Sequence, residues 1–134
     1  MNSRILLVED QQKLARIVQL ELADQGYCVS VRHDGQAGFS AVEDVKPDLI
    51  ILDWCLPGLS GLEICRRLRQ AGSQIPIIFV TAMDSDGDRN TGLKAGANDY
   101  VVKPFGIEQL VAIVKNHLRG TTHASSPYRA CGNV

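Results

Sequence analysis

The sequence predicts an α/β fold: a parallel five-stranded sheet with helices on both faces. Five short apolar runs alternate with five amphipathic segments, and that β-α repetition builds such a sheet. The third run, Leu49-Ile-Ile-Leu52, is apolar throughout rather than alternating, as a strand buried on both faces is. At 134 residues the chain is long enough for one domain with a real core.

Ile5-Leu6-Leu7-Val8 reads as the first strand. The helix after it places Leu14, Ile17, Val18 and Leu22 on one face, and Gly26 suits its C-terminal cap. Tyr27 to Val31 is the second strand, and Gln36 to Val45 the second helix, closed by Lys46-Pro47. Leu49 to Leu52 is the third strand. Ser60-Gly-Leu-Glu63 is a capping box that opens the third helix, Leu62 to Gln70. Ile77 to Val80 is the fourth strand, followed by a weaker helix over Asp86 to Lys94, ended by Ala95-Gly96. Val101 and Val102 centre the fifth strand. Ile107 to Leu118 is the last helix, with Leu110, Val111, Val114 and Leu118 on one face.

The composition is ordinary: 45% hydrophobic, 22% charged, net charge −1. That balance shows no bias toward nucleic acid or anionic membrane. No apolar stretch approaches the roughly 18 residues of a membrane span. The start, MNSRILLVED, turns acidic too early for a secretory signal. Cys28, Cys55, Cys65 and Cys131 show no C-x-x-C spacing. The expectation is a reduced, cytoplasmic protein without structural disulfides. The end, GTTHASSPYRACGNV, is small, polar and aperiodic, and reads as a flexible tail or linker over 120–134.

The chemistry is expected at the carboxyl ends of the strands. The first strand runs into Glu9-Asp10, the third into Asp53, the fourth into Thr81-Ala82 and the fifth into Lys103-Pro104. Three carboxylates, a hydroxyl and an ammonium then converge on one sheet edge. Clustered carboxylates repel, so a cation must hold them together. Lys103 supplies one charge. An all-oxygen set suits a hard divalent cation, best Mg²⁺, and no His or Cys is placed to favour zinc. A carboxylate in such a site can attack phosphorus and form an acyl phosphate, with metal and lysine neutralising the phosphoryl oxygens. The small Ala82 leaves access for a phosphodonor.

V-E-D, L-D-W-x-L-P-G-x-x-G, V-T-A and D-Y-V-V-K-P-F occur in this order and resemble the receiver domain of two-component response regulators. The resemblance covers about residues 4–119 and is closest to receivers of the OmpR/PhoB type, whose full-length members carry a winged-helix DNA-binding domain. It implies a flavodoxin-like, doubly wound sheet of order 2-1-3-4-5 and a receiver domain over 1–119. It implies Asp53 as phosphoacceptor from a kinase phosphohistidine, with Glu9, Asp10, Asp53 and the Cys55 backbone carbonyl around Mg²⁺, for which Mn²⁺ substitutes. Lys103 would pair with a phosphate oxygen, Thr81 would move to bond the phosphate, and Tyr100 would be the switch aromatic. The Lys103-Pro104 peptide is expected to be cis. The implied role is a regulatory phosphoacceptor rather than an enzyme, assisting its own phosphorylation and dephosphorylation. Its partner would be a sensor histidine kinase or a histidine phosphotransfer protein, and its output transcription through an attached or partner DNA-binding domain.

The resemblance also implies a dimer through the fourth helix, fifth strand and fifth helix. Arg89 and Asp99 are present, but their expected partners fall at the uncharged Gln109 and Ile113, leaving Lys115 to reach Asp99 or a partner chain. The dimer face is therefore expected to be weakened or rewired. Asn98 and Met83 also depart from the common pattern and are expected near the active or signalling face. A flavodoxin-like FMN site would need a Ser/Thr/Gly-rich loop after the first strand, where this chain has E-D-Q-Q-K. An aspartyl-phosphate hydrolase would carry a second Asp two residues after the nucleophile, where this chain has Cys55. A pseudo-receiver would lack part of the acidic, Thr and Lys set. D-S-D-G-D at 84–88 lacks the terminal Glu of a calcium loop, His33, His117 and His123 are scattered, and Trp54 shields the site or caps the core. No basic helix suggests direct nucleic-acid contact by this chain.

Overall fold

The computed structural model describes residues 2–119. The tail expected over 120–134 lies outside the described residues. The elements are β1 (Arg4–Val8), α1 (Gln12–Asp24), β2 (Cys28–Arg32), α2 (Gly35–Val45), β3 (Leu49–Leu52), α3 (Gly61–Gln70), β4 (Ile77–Thr81), α4 (Asp86–Lys94), β5 (Asp99–Val102) and α5 (Ile107–Leu118). The strands form one sheet of order β2-β1-β3-β4-β5, and every pairing is parallel. The order reverses between β1 and β3. That switch point opens a crevice beyond the strand ends.

Side chains alternate across each strand and so supply two cores. Ile5, Leu7, Ile51, Ile78 and Val80 pack with Val18 and Leu22 of α1 and Leu110 and Val114 of α5. Leu6, Val8, Ile50, Leu52, Ile77 and Phe79 pack with Ala41 and Val45 of α2 and Ile64 and Leu68 of α3. The face expected for α1 needs one correction. Its buried stripe is Ala15, Val18 and Leu22, whereas Ile17 is 56% exposed. At about 100° per residue, Ile17 falls well off the centre of that stripe.

Local chemistry sets the ends. Gly26, at φ +96°, follows the last turn of α1 in the left-handed region that glycine adopts freely. Ser60 Oγ accepts from the Glu63 N–H at 3.1 Å and starts α3. Ser85 does the same for α4, accepting from Asp88 N–H at 3.0 Å, so D-S-D-G-D is a helix cap. This cap supports a helix that buries only Gly92. Gly61 lets α3 begin against the Asp53 turn, and its N–H donates to the Trp54 carbonyl at 2.8 Å.

The cysteine expectation is half right. Cys55 and Cys65 carry free thiols. Cys28 is disulfide-bonded, contrary to the expectation of none. Local spacing screens only near neighbours, whereas a disulfide joins residues close in space at any separation. Among the described residues no helix is long and apolar enough to cross a membrane.

Candidate functional site: an acidic cluster at the sheet edge

The parallel register sets the site. Val8 pairs with Leu52, so the residues after β1 and β3 emerge side by side, and Thr81 pairs with Val102, so the residue after β5 emerges beside the end of β4. Asp53 N–H donates to the Val8 carbonyl at 3.0 Å, and Lys103 N–H to the Thr81 carbonyl at 2.8 Å. The ladders thus continue past the strands and hold the next residues in place. Oxygen atoms of Glu9, Asp10 and Asp53 all lie within 4.8 Å of one another. The Lys103 ammonium sits 2.8 Å from Glu9 Oε1 and 2.9 Å from Asp53 Oδ2.

Each inner carboxylate divides its oxygens between cation and backbone. Glu9 Oε2 accepts from Gln11 N–H at 3.0 Å, and Asp53 Oδ1 from Cys55 N–H at 3.1 Å. Glu9 is 3% exposed and Asp53 5%. Burial pushes the Glu9 carboxyl up to about 7; the nearby Asp53 charge adds to this, against the bonds from Lys103 and Gln11. Burial works to lower the Lys103 ammonium, but its bonds to Glu9 and Asp53 outweigh it and raise the group. Asp10 is the exposed member. The donors are all oxygen, and no His or Cys joins this cluster among the described residues. The set therefore fits a hard divalent cation.

Thr81 is buried at the end of β4, and its Oγ1 accepts from Met83 N–H at 3.3 Å. Ala82 beside it is exposed. Tyr100 points inward. Its hydroxyl donates to the Met83 carbonyl, and its ring lies edge-on to Trp54 and Phe79 with centroids at 6.3 and 6.1 Å. Gly92 makes room: a Cβ there would come within 3.0 Å of the Tyr100 ring. Burial raises the Tyr100 hydroxyl pKa. The Lys103-Pro104 peptide is cis, as expected.

Outside the cluster several residues differ from expectation. Arg89 lies over the Tyr100 ring, 5.4 Å from its centre. Asp99 faces His117, with Nε2 3.2 Å from Oδ2, and not Lys115. Lys115 borders a hollow with Glu21 and Glu108; residues two apart on a helix point to different sides. Asn98 adjoins the start of β5, away from the acids. Its Oδ1 accepts from Ile77 N–H and Arg69 Nη2, both at 2.9 Å, at the opposite edge of the sheet. Met83 is near the site, as expected, and its Sδ lies 3.6 Å from the Cys55 thiol. The sequence sets His33 aside as one of three scattered histidines, yet its Nδ1 lies 3.0 Å from the Glu9 carbonyl oxygen. No motif carries that contact, because it joins two strand ends distant in sequence.

Comparison with known proteins agrees with this geometry. Residues 5–115 match the family model of the response regulator receiver domain. The chain is 53% identical over 115 residues to the uncharacterized transcriptional regulatory protein YkoG of Bacillus subtilis, covering 86% of this chain and 50% of that protein. It is 50% identical over 117 residues to the response regulator ArlR of Staphylococcus haemolyticus, covering 87% and 53%. The chain thus spans about half the length of these relatives. Among solved structures it is similar to the BeF3-activated N-terminal receiver domain of Klebsiella pneumoniae RstA, with TM-score 0.82 and 34% identity over 87% of this chain and 98% of that one. It also resembles the Francisella response regulator 1452 receiver domain, with TM-score 0.86 and 30% identity over 90% and 100%. The chain belongs to the response regulator receiver domain family of two-component signalling.

Proposed function

We propose that Asp53 is the phosphoacceptor of this receiver and that Glu9, Asp10, Asp53 and the Cys55 carbonyl hold Mg²⁺, or Mn²⁺ in its place. The supporting observation is the cluster itself: three carboxylates on adjoining strand ends, held by one half-buried lysine. An Asp53 oxygen attacks the phosphorus of a phosphohistidine on a sensor kinase or phosphotransfer protein. The N–P bond breaks, the imidazole leaves with its electron pair, and an acyl phosphate forms. When bound, the divalent cation neutralises phosphoryl oxygens and draws the acids together. Lys103 exchanges its bond to Asp53 for one to a phosphoryl oxygen. Thr81, the side chain at the end of the neighbouring strand, gives up its bond from Met83 N–H and turns its hydroxyl to the phosphoryl group. Tyr100, joined to the Met83 carbonyl, senses that change and passes it to α4 and β5.

The same reading places the receiver domain at 1–119 and gives it a regulatory role in transcription, because the relatives it resembles are named as transcriptional or response regulators. Phosphorylation would then control an attached or partner DNA-binding domain in the cytoplasm. Self-association through α4, β5 and α5 is weakened or rewired, because Arg89 is engaged with Tyr100 and Asp99 with His117 inside one chain. Intact mass after incubation with a small phosphodonor and Mg²⁺ tests the central step. One added phosphoryl group is expected in wild type, none without metal and none in Asp53→Asn. Equal labelling of Asp53→Asn would refute the assignment.

A further inference from the structure

We propose that His33 is a positioning residue for the cation-holding acids, acting through the Glu9 backbone carbonyl. The inference rests on the assignment of Glu9 and Asp10 given above. A carbonyl oxygen only accepts, so His33 Nδ1 carries the proton and donates across 3.0 Å. The Glu9 N–H donates in turn to the Arg32 carbonyl at 3.0 Å. Residues 32 and 33 therefore hold both peptide groups of Glu9. The β1–β2 ladder, which ends where Val8 pairs with Arg32, is extended by one residue at the acidic turn.

That extension matters most for Asp10. The Glu9 carbonyl lies in the peptide plane that carries the Asp10 nitrogen and Cα, so fixing the plane anchors the point from which the Asp10 side chain leaves the backbone. The other two acids have side-chain anchors of their own: Lys103 and Gln11 N–H for Glu9, Lys103 and Cys55 N–H for Asp53. Asp10 is exposed, and its carboxylate has no hydrogen bond or ion pair among the described residues. Its orientation rests on the backbone, where Glu9 Oε2 holds the following peptide through Gln11 N–H and His33 holds the preceding one. Outer groups that orient metal ligands commonly change affinity by about 10–100-fold when removed. His33 is itself exposed, which puts the expected effect at the lower end.

The test is Mg²⁺ titration of the full chain at one fixed pH, read by Trp54 fluorescence and by calorimetry, with urea stability measured in parallel. His33→Phe is expected to weaken Mg²⁺ binding about tenfold with the urea midpoint unchanged. His33→Asn, whose amide nitrogen can take the place of Nδ1, is expected to recover most of the affinity. Wild-type affinity in His33→Phe would overturn the proposal. So would equal loss in both variants, or a loss that tracks a lowered urea midpoint. Asp10→Asn separates the two layers: if it binds Mg²⁺ as wild type does, or if wild type binds none, the assignment of the acids fails and His33 falls with it.

Discussion

Replacing Gly61 with alanine tests how closely α3 must approach the Asp53 turn. An added Cβ would lie 2.1 Å from the Asp53 carbonyl oxygen, 2.9 Å from its carbon and 3.0 Å from Trp54 Cα. Carbon–oxygen contacts settle near about 3.3 Å, so one backbone must retreat by roughly 1 Å. The Gly61 N–H bond to the Trp54 carbonyl, now 2.8 Å, would then stretch beyond a useful length, losing about 1 kcal/mol. Overpacking against backbone adds about 1–3 kcal/mol. Together these give roughly 2–4 kcal/mol of lost stability, and the displaced turn carries Asp53 with it. Gly72→Ala is the control: its φ is +86° but nothing lies within 4 Å, so only the conformational cost of about 1 kcal/mol remains. Urea unfolding read by Trp54 measures both. The reasoning is refuted if Gly61→Ala costs no more than Gly72→Ala.

Further outcomes follow from the same geometry. The raised Glu9 carboxyl means that the folded chain keeps a proton which the unfolded chain releases between its ordinary value of 4.5 and about 7. Stability without divalent cation is therefore expected to fall as pH rises through that window, on the order of 2 kcal/mol after allowing for partial solvation. Urea midpoints at both ends of the window check it, and Glu9→Gln should remove the slope. Because a cation competes with the same proton, Mg²⁺ affinity should rise over the window, readable by calorimetry. Lys103→Met leaves two buried carboxylates without their shared cation and is expected to cost about 3 kcal/mol at neutral pH, part of it recovered by Mg²⁺ in thermal melts. Asp99→Ala breaks a pair with His117 that is partly exposed, so a loss below about 1 kcal/mol is expected by the same assay. Sedimentation of the phosphorylated chain tests the rewired dimer face: a tight dimer abolished by Asp99→Ala alone would count against it.

What the residue order makes legible depends on how local the cause is. Leu49 to Leu52 reads as a buried strand because four consecutive apolar residues need no distant information. Ser60 reads as a cap because its partner is three residues away. The cluster is legible too, since a parallel sheet places all strand carboxyl ends on one edge and Glu9, Asp53, Thr81 and Lys103 each follow or end a strand. Contacts that depend on helix phase or on distant loops are not. Ile17 is apolar but lies off the buried stripe of α1. Spacing offers Lys115 to Asp99, and the rotation of α5 brings His117 there instead. Asn98 stands beside the signalling strand in sequence, yet at that strand's start, on the edge away from the acids.

Met83 is gripped from three directions: its N–H by Thr81, its carbonyl by Tyr100 and its sulfur by Cys55. A connection fastened at three points resists partial travel, because a small displacement strains every fastening before any replacement forms. Its motion is therefore expected to be stepwise rather than graded, as where packed elements have discrete arrangements. Under the switching proposed through Thr81, the link between β4 and α4 would act as a threshold, turning a chemical event at the sheet edge into an all-or-none change.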